Sequence, residues 1–140
     1  MAILAIDFGT RRLGIAIADS SNSHAYPLGS LRRRSPYKDL EQLRIWADGR
    51  EVSTVVVGLP LNMDGSEGAM ARAARKFGAE LAAYLDLPVD YADERLSSFE
   101  ARERLSEQGG MRGKKHAVDA VAAAVILDDW LAKHSNSSSS

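Results

Sequence analysis

The order of apolar segments in this chain predicts an α/β protein built on one mixed sheet of five strands. Three observations carry that prediction. Residues 2–6 and 13–18 are apolar runs separated by a stretch too short to hold a helix, so they pair as antiparallel neighbours. A further extended stretch, 25–33, follows after a second polar turn. Later apolar runs at 52–58 and 88–92 are instead separated by segments of helical periodicity, the pattern of parallel strands joined by crossovers.

Each element follows from its residues. The first run, within AILAIDFGTRRLG, is apolar at successive positions until Asp7, as expected of a strand buried on both faces. LGIAIA at 13–18 is its hairpin partner, and the third stretch ends in Arg32, Arg33 and Arg34, read as a solvated edge. Pro36 opens a helix whose apolar stripe is Leu40, Leu43 and Ala47, with Gly49 near its end. VSTVVVG at 52–58 is β-branched and forms a buried strand. LPLNMDGSEG at 59–68 is a loop of turn formers, with Ser66 the expected cap of the next helix. That helix turns Met70, Ala73, Ala74, Phe77, Leu81, Tyr84 and Leu85 inward, and Arg72, Arg75 and Lys76 outward. After the strand at 88–92, Ser97 and Glu100 match a capping box for a helix through Glu107, ended by Gly109 and Gly110. GMRGKK at 110–115 is a basic loop, and a last helix runs from about His116 to Lys133. One domain over 1–134 and a disordered Ser-rich tail over 135–140 complete the organisation.

Composition narrows the chemistry. The 18 Lys and Arg nearly balance the 19 Asp and Glu, which neither demands nor excludes a nucleic-acid partner, since a basic patch can sit beside an acidic site. There is no cysteine, so disulfides, thiolate catalysis and Cys-ligated zinc are excluded. His24, His116 and His134 do not cluster, so a His-metal centre is not expected. No signal peptide is visible and no apolar run nears the roughly 20 residues that span a bilayer, so a cytoplasmic location is expected. Trp46 and Trp130 read as packing groups.

Three acidic positions remain. Asp7 ends the first strand, Asp93 and Glu94 follow the last one, and Asp119 is the only charged residue between His116 and Asp128. Singly, each has an ordinary explanation: a turn residue, a surface pair with Arg95, a carboxylate suiting the helix macrodipole. Jointly, they are carboxylates at two strand ends and on a helix packed against them. Such a set suits one or two Mg²⁺ or Mn²⁺ ions, which take oxygen ligands and stabilise attacking and leaving oxygens in phosphodiester hydrolysis. Lys114 and Lys115, just before Asp119, are candidate phosphate contacts, as is Arg11 in the turn after Asp7.

Four blocks carry a resemblance: AIDFGTRRLGIAIAD, VVVGLPLNMDGSEG, DERLSS and KKHAVDAVAAAVIL. In this order they are similar to the motif blocks of the YqgF family, also called RuvX, bacterial pre-16S rRNA nucleases earlier described as Holliday junction resolvases. The resemblance covers nearly the whole chain apart from the Ser-rich tail. It implies an RNase H-like fold, a role in maturing the 5′ end of 16S rRNA, and metal binding by Asp7, Asp119 and the acidic position of DER. Glu94 is favoured there because related resolvases place a Glu at the end of this strand; Asp93 is its rival. The serines after DERL stand where the family commonly has threonines.

The leading expectation is therefore a divalent-metal nuclease acting on structured RNA and pre-ribosomal particles, as a monomer or homodimer. The alternatives are a Holliday junction resolvase acting on branched DNA and an RNA-binding module without catalysis. IDFGT also resembles the phosphate-binding turn of actin-like ATPases and sugar kinases, but those need two such domains and this length supplies one.

Overall fold

The computed structural model describes residues 1–20, 24–93 and 115–138, with side chains in the last segment described for 118–134. Its elements are β1 (Ala2–Phe8), β2 (Arg12–Ala18), β3 (Tyr26–Arg32), α1 (Pro36–Ala47), β4 (Val52–Leu59), α2 (Ala69–Leu85), β5 (Val89–Asp93) and α3 (Lys115–Ser138). The strands form one sheet in the order β3-β2-β1-β4-β5. β1 pairs antiparallel with β2 and parallel with β4, β2 pairs antiparallel with β3, and β4 pairs parallel with β5. The mixed five-stranded sheet is as expected, with β1 at its centre. The helix expected over residues 97–107 and the basic loop lie outside the described residues.

Alternation along the strands divides the core in two. Leu4, Ile6 and Phe8 of β1, Leu13, Ile15 and Ile17 of β2 and Val55 and Val57 of β4 face one side, against Leu40 and Leu43 of α1 and Phe77 and Leu81 of α2. Ile3 and Ala5, Ala16 and Ala18, and Val56 face the other, against Ala123, Ile126, Leu127 and Leu131 of α3. Both faces of the central strands are covered, which is why those strands read as continuous apolar runs. The α3 side is lined by small residues on sheet and helix alike, so the helix rides close to the strands.

Several local expectations are corrected. α2 is capped by the extended backbone of Gly68 with no side-chain cap bond, not by Ser66. Ser66 is occupied in the preceding loop, where its backbone N–H and its hydroxyl both donate to the Asp64 carboxylate, at 2.9 and 2.6 Å. Ala73 of α2 faces outward and Ala71 takes the buried position. α1 does begin at Pro36, with the Ser35 hydroxyl accepting the Lys38 N–H at 3.3 Å. The backbone of α3 continues to Ser138, past the expected end at Lys133.

The Arg triplet is not a uniformly solvated edge. Arg33 folds back over the Phe8 ring, its guanidinium carbon 4.6 Å from the ring centroid. Its Nε donates to the Asp39 carboxylate at 3.2 Å, and Asp39 is the one buried charged side chain among the described residues. A charge buried this deeply must be paired and hydrogen-bonded. Asp39 achieves that by also accepting the Arg34 backbone N–H at 2.9 Å.

Candidate active site

β1 runs parallel to β4 and β5, so their carboxyl ends share one edge of the sheet, where sites on α/β folds form. Asp7 stands at that edge, half-buried, on the face covered by α3, because it alternates with Ile6 and Phe8 and shares parity with Ile3 and Ala5. Its cross-strand partner is Gly14. A carbon placed on Gly14 would overlap the carbonyl of Asp119. Glycine is required there because the backbone of α3 lies directly on β2. The close seating brings Asp119 over the residue opposite Asp7, so the two carboxylate-bearing positions expected from sequence are neighbours on one face.

Asp119 is held from the sheet. Arg12, the first residue of β2, shares parity with Gly14, and its Nε donates to Asp119 Oδ2 at 2.7 Å. Both side chains are about one-quarter exposed (26% each), so water screens the pair only in part. Arg12 was not singled out by sequence reasoning. The usable signal was its even spacing from Gly14 and Ala16, which places it on the α3 face. Farther along, the Asp128 carboxylate accepts the Ala25 backbone N–H at 2.9 Å, and the Trp130 indole N–H donates to Asp90 Oδ2 at 2.8 Å. The Trp130 bond is the first cause holding the Asp90 carboxyl below its ordinary range, helped by the Tyr91 backbone N–H and the neighbouring His134. These three polar clamps fix α3 in register on the small-residue face.

The turn after Asp7 is anchored from the opposite face. Arg33 donates through Nη1 to the Gly9 carbonyl at 3.0 Å, and its backbone N–H donates to the Arg11 carbonyl at 2.8 Å. Phe8 beneath it packs on Phe77, with ring centroids 5.4 Å apart. With its backbone so held, Arg11 carries its side chain into solvent beside the site. The loop after β4 reaches the same edge and closes on itself, the Asn62 backbone N–H donating to the Ser66 carbonyl at 2.9 Å. Glu67 then takes a forked pair from Arg75, at 2.8 Å from Nε and 2.7 Å from Nη2, which holds its carboxyl below the ordinary range.

Of the acidic pair expected after the last strand, Asp93 is described, as the final residue of β5, and is exposed. It pairs with Leu59 in register and shares parity with Val89 and Tyr91, whose side chains pack on the α2 side. Glu94, Lys114 and the side chain of Lys115 lie outside the described residues. Among the described residues no three His, Cys, Asp or Glu side chains gather as a metal cluster. What is gathered there is a pair of carboxylate positions, a hard-oxygen donor set of the kind Mg²⁺ and Mn²⁺ accept. No helix among the described residues is long and apolar enough to cross a membrane.

Comparison with known proteins agrees in scope with this architecture. A family model, RuvX, described as Holliday junction resolvase, matches residues 1–133. A relative from Anaeromyxobacter sp. (strain Fw109-5), named "Putative pre-16S rRNA nuclease", is 52% identical over 94% of this chain and 96% of its own. One of the same name from Myxococcus xanthus (strain DK1622) is 43% identical over 96% of this chain and 89% of its own. Among solved structures, RuvC of Thermus thermophilus in complex with Holliday junction substrate is similar at TM-score 0.53 and 18% identity, over 90% of this chain and 92% of that one. The fowlpox virus Holliday junction resolvase is similar at TM-score 0.57 and 11% identity, over 95% and 99%. At these identities the structural likeness speaks for the fold, which is RNase H-like.

Proposed function

The chain belongs to the RuvX family, and from that membership we propose a divalent-metal-dependent nuclease that matures the 5′ end of pre-16S rRNA. It is a hydrolase of phosphodiester bonds. The observation that carries the site assignment is the seating of α3 on Gly14, which sets Asp119 over the residue opposite Asp7. Asp7 and Asp119 would hold the ion, with Glu94 the third ligand. Asp93 is the weaker candidate of the two, because it belongs with Val89 and Tyr91 on the opposite face. When bound, Mg²⁺ or Mn²⁺ supplies charge stabilisation at the phosphate and activation of the attacking water.

The chain's own residues do the rest. Arg12 holds the Asp119 carboxylate towards the sheet, so that this group is in place before any substrate arrives. Arg11, carried on a turn with an anchored backbone, reaches for a phosphate, and Lys114 and Lys115 extend the positive charge at the entry to α3. Work on ribosomal RNA would place the enzyme in the cytoplasm, in keeping with a chain that lacks cysteine.

The test is to incubate purified protein with labelled precursor 16S rRNA, single-stranded RNA and a four-way DNA junction, each with and without Mg²⁺ or Mn²⁺. Metal-dependent cutting of the precursor is expected, reduced at least about 100-fold by Asp7→Asn or Asp119→Asn, since several kcal/mol of transition-state stabilisation go with the ion. An Asp7→Asn protein that cuts like its parent would sink the metal site. Cutting confined to the junction would favour the second reading, a resolvase, which the description of the family model supports. Folded protein that binds RNA and cuts nothing would favour a binding module.

A further inference from the structure

We propose that the cleft between the end of β3 and the start of α1 is a second binding site, taking backbone phosphates of nucleic acid that flanks the cleaved bond. Its ligand class rests on the nuclease reading; its location rests on charge and geometry alone. The cleft, about 360 Å³ in volume, is lined in part by Arg32, Arg34, Lys38, Asp39 and Glu41. Asp39 is already matched by Arg33 at 3.2 Å. Glu41 therefore stands as the remaining acidic lining group against three exposed cations.

None of the three cationic side chains has an ion-pair partner among the described residues. Arg32 also lies directly opposite Arg12 in the β2–β3 ladder. Like charges facing each other across strands are destabilising. Arg12 is compensated by Asp119, whereas the charge of Arg32 is left for something outside the fold. A polyanion supplies it, and each phosphate neutralised would release condensed counterions.

The cleft is also placed for a continuous strand. Because β2 is antiparallel to both neighbours, the ends of β1 and β3 lie at the same edge of the sheet. The Arg33 backbone N–H donates to the Arg11 carbonyl at 2.8 Å, tying the cleft's basic segment to the turn that follows Asp7. Exposed Arg11 thus lies between the two regions. A backbone entering at Arg34 and Lys38 and passing Arg11 would arrive at the carboxylates.

Binding is measured by fluorescence anisotropy in EDTA, with an RNA hairpin in one arm and a four-way DNA junction in the other, over a salt series. The Arg32→Gln/Arg34→Gln/Lys38→Gln protein is expected to bind about 10-fold more weakly near 0.1 M salt, with a log–log salt slope shallower by about 2–3. Glu41→Gln is expected to bind about 2–3-fold more tightly, a gain that damage to the fold would not produce. A response in either arm supports the cleft and identifies the nucleic acid it serves. Parent binding that both variants reproduce in affinity and slope overturns the cleft and leaves the nuclease reading intact. A parent protein that binds neither ligand overturns the cleft, and the nuclease reading is then decided by the cleavage assay with metal.

Discussion

Arg12 and Asp90 are the residues whose chemistry most constrains α3. Replacing Arg12 by Met removes the partner of a partly buried carboxylate while keeping the aliphatic stem. A loss of about 1 kcal/mol is expected in urea unfolding, between the values for exposed and buried pairs. The double-mutant cycle with Asp119→Asn should return a coupling of similar size, and zero coupling would remove the clamp. Asp90 makes a pH prediction. Its folded pKa lies below the ordinary carboxyl value of 3.8, so its contribution is complete above that value and is lost as pH falls through the lower, folded one. Trp130→Phe should cost about 0.5–1 kcal/mol at neutral pH, a modest figure because the carboxylate is half-exposed. The difference from the parent should shrink once Asp90 protonates, which chemical denaturation carried to pH values below the ordinary carboxyl range would register.

Among the elements, β2 and α3 make the most demanding contact. Gly14→Ala would drive a methyl into the Asp119 carbonyl, and backbone cannot swing aside as a side chain can. A loss of about 1–3 kcal/mol is expected, with reduced cleavage because Asp119 moves with its helix. Gly78→Ala in α2 meets instead the ring and hydroxyl of Tyr91. Tyr91 sits at the sheet margin and can shift, and alanine gains about 1 kcal/mol of helix propensity, so that change should be nearly neutral. Thermal unfolding of the two variants side by side decides the point. The same contrast marks what was legible in the sequence. Strand periodicity and the β-branched run at Val55–Val57 revealed the sheet, and the isolation of Asp119 in an apolar helix suggested a packed surface. Ser66 misled because an Asx-type turn at Asp64 competes for the same hydroxyl. Arg33 looked solvated because nothing local announces that Asp39 and Phe8 will surround it. Arg12 is found only once β2 is known to present its small residues to a helix more than a hundred residues later.

The whole molecule is one sheet with an apolar layer on each side. Trp46 packs on the α1–α2 layer and Trp130 on the α3 layer, so single-tryptophan variants report the two layers separately. Because β1, β2 and β4 contribute to both layers, the two midpoints should coincide in denaturant. Separate transitions would mean that α3 detaches on its own. Truncating a fully buried side chain on either side, Leu81→Ala or Ile126→Ala, should cost about 2–5 kcal/mol and shift both fluorescence signals together.

One consequence of seating Asp119 on Gly14 concerns time. Asp7 leaves the translating ribosome 112 residues ahead of Asp119 (119 − 7), so its counterpart follows only when α3 has been made. At about 5–20 residues per second, the interval is roughly ten seconds. Throughout it the nascent chain can form β1 and its hairpin but has no facing pair of carboxylates. Synthesis order thus withholds the pair from a half-made chain, and docking of α3 is the event that would arm the proposed site.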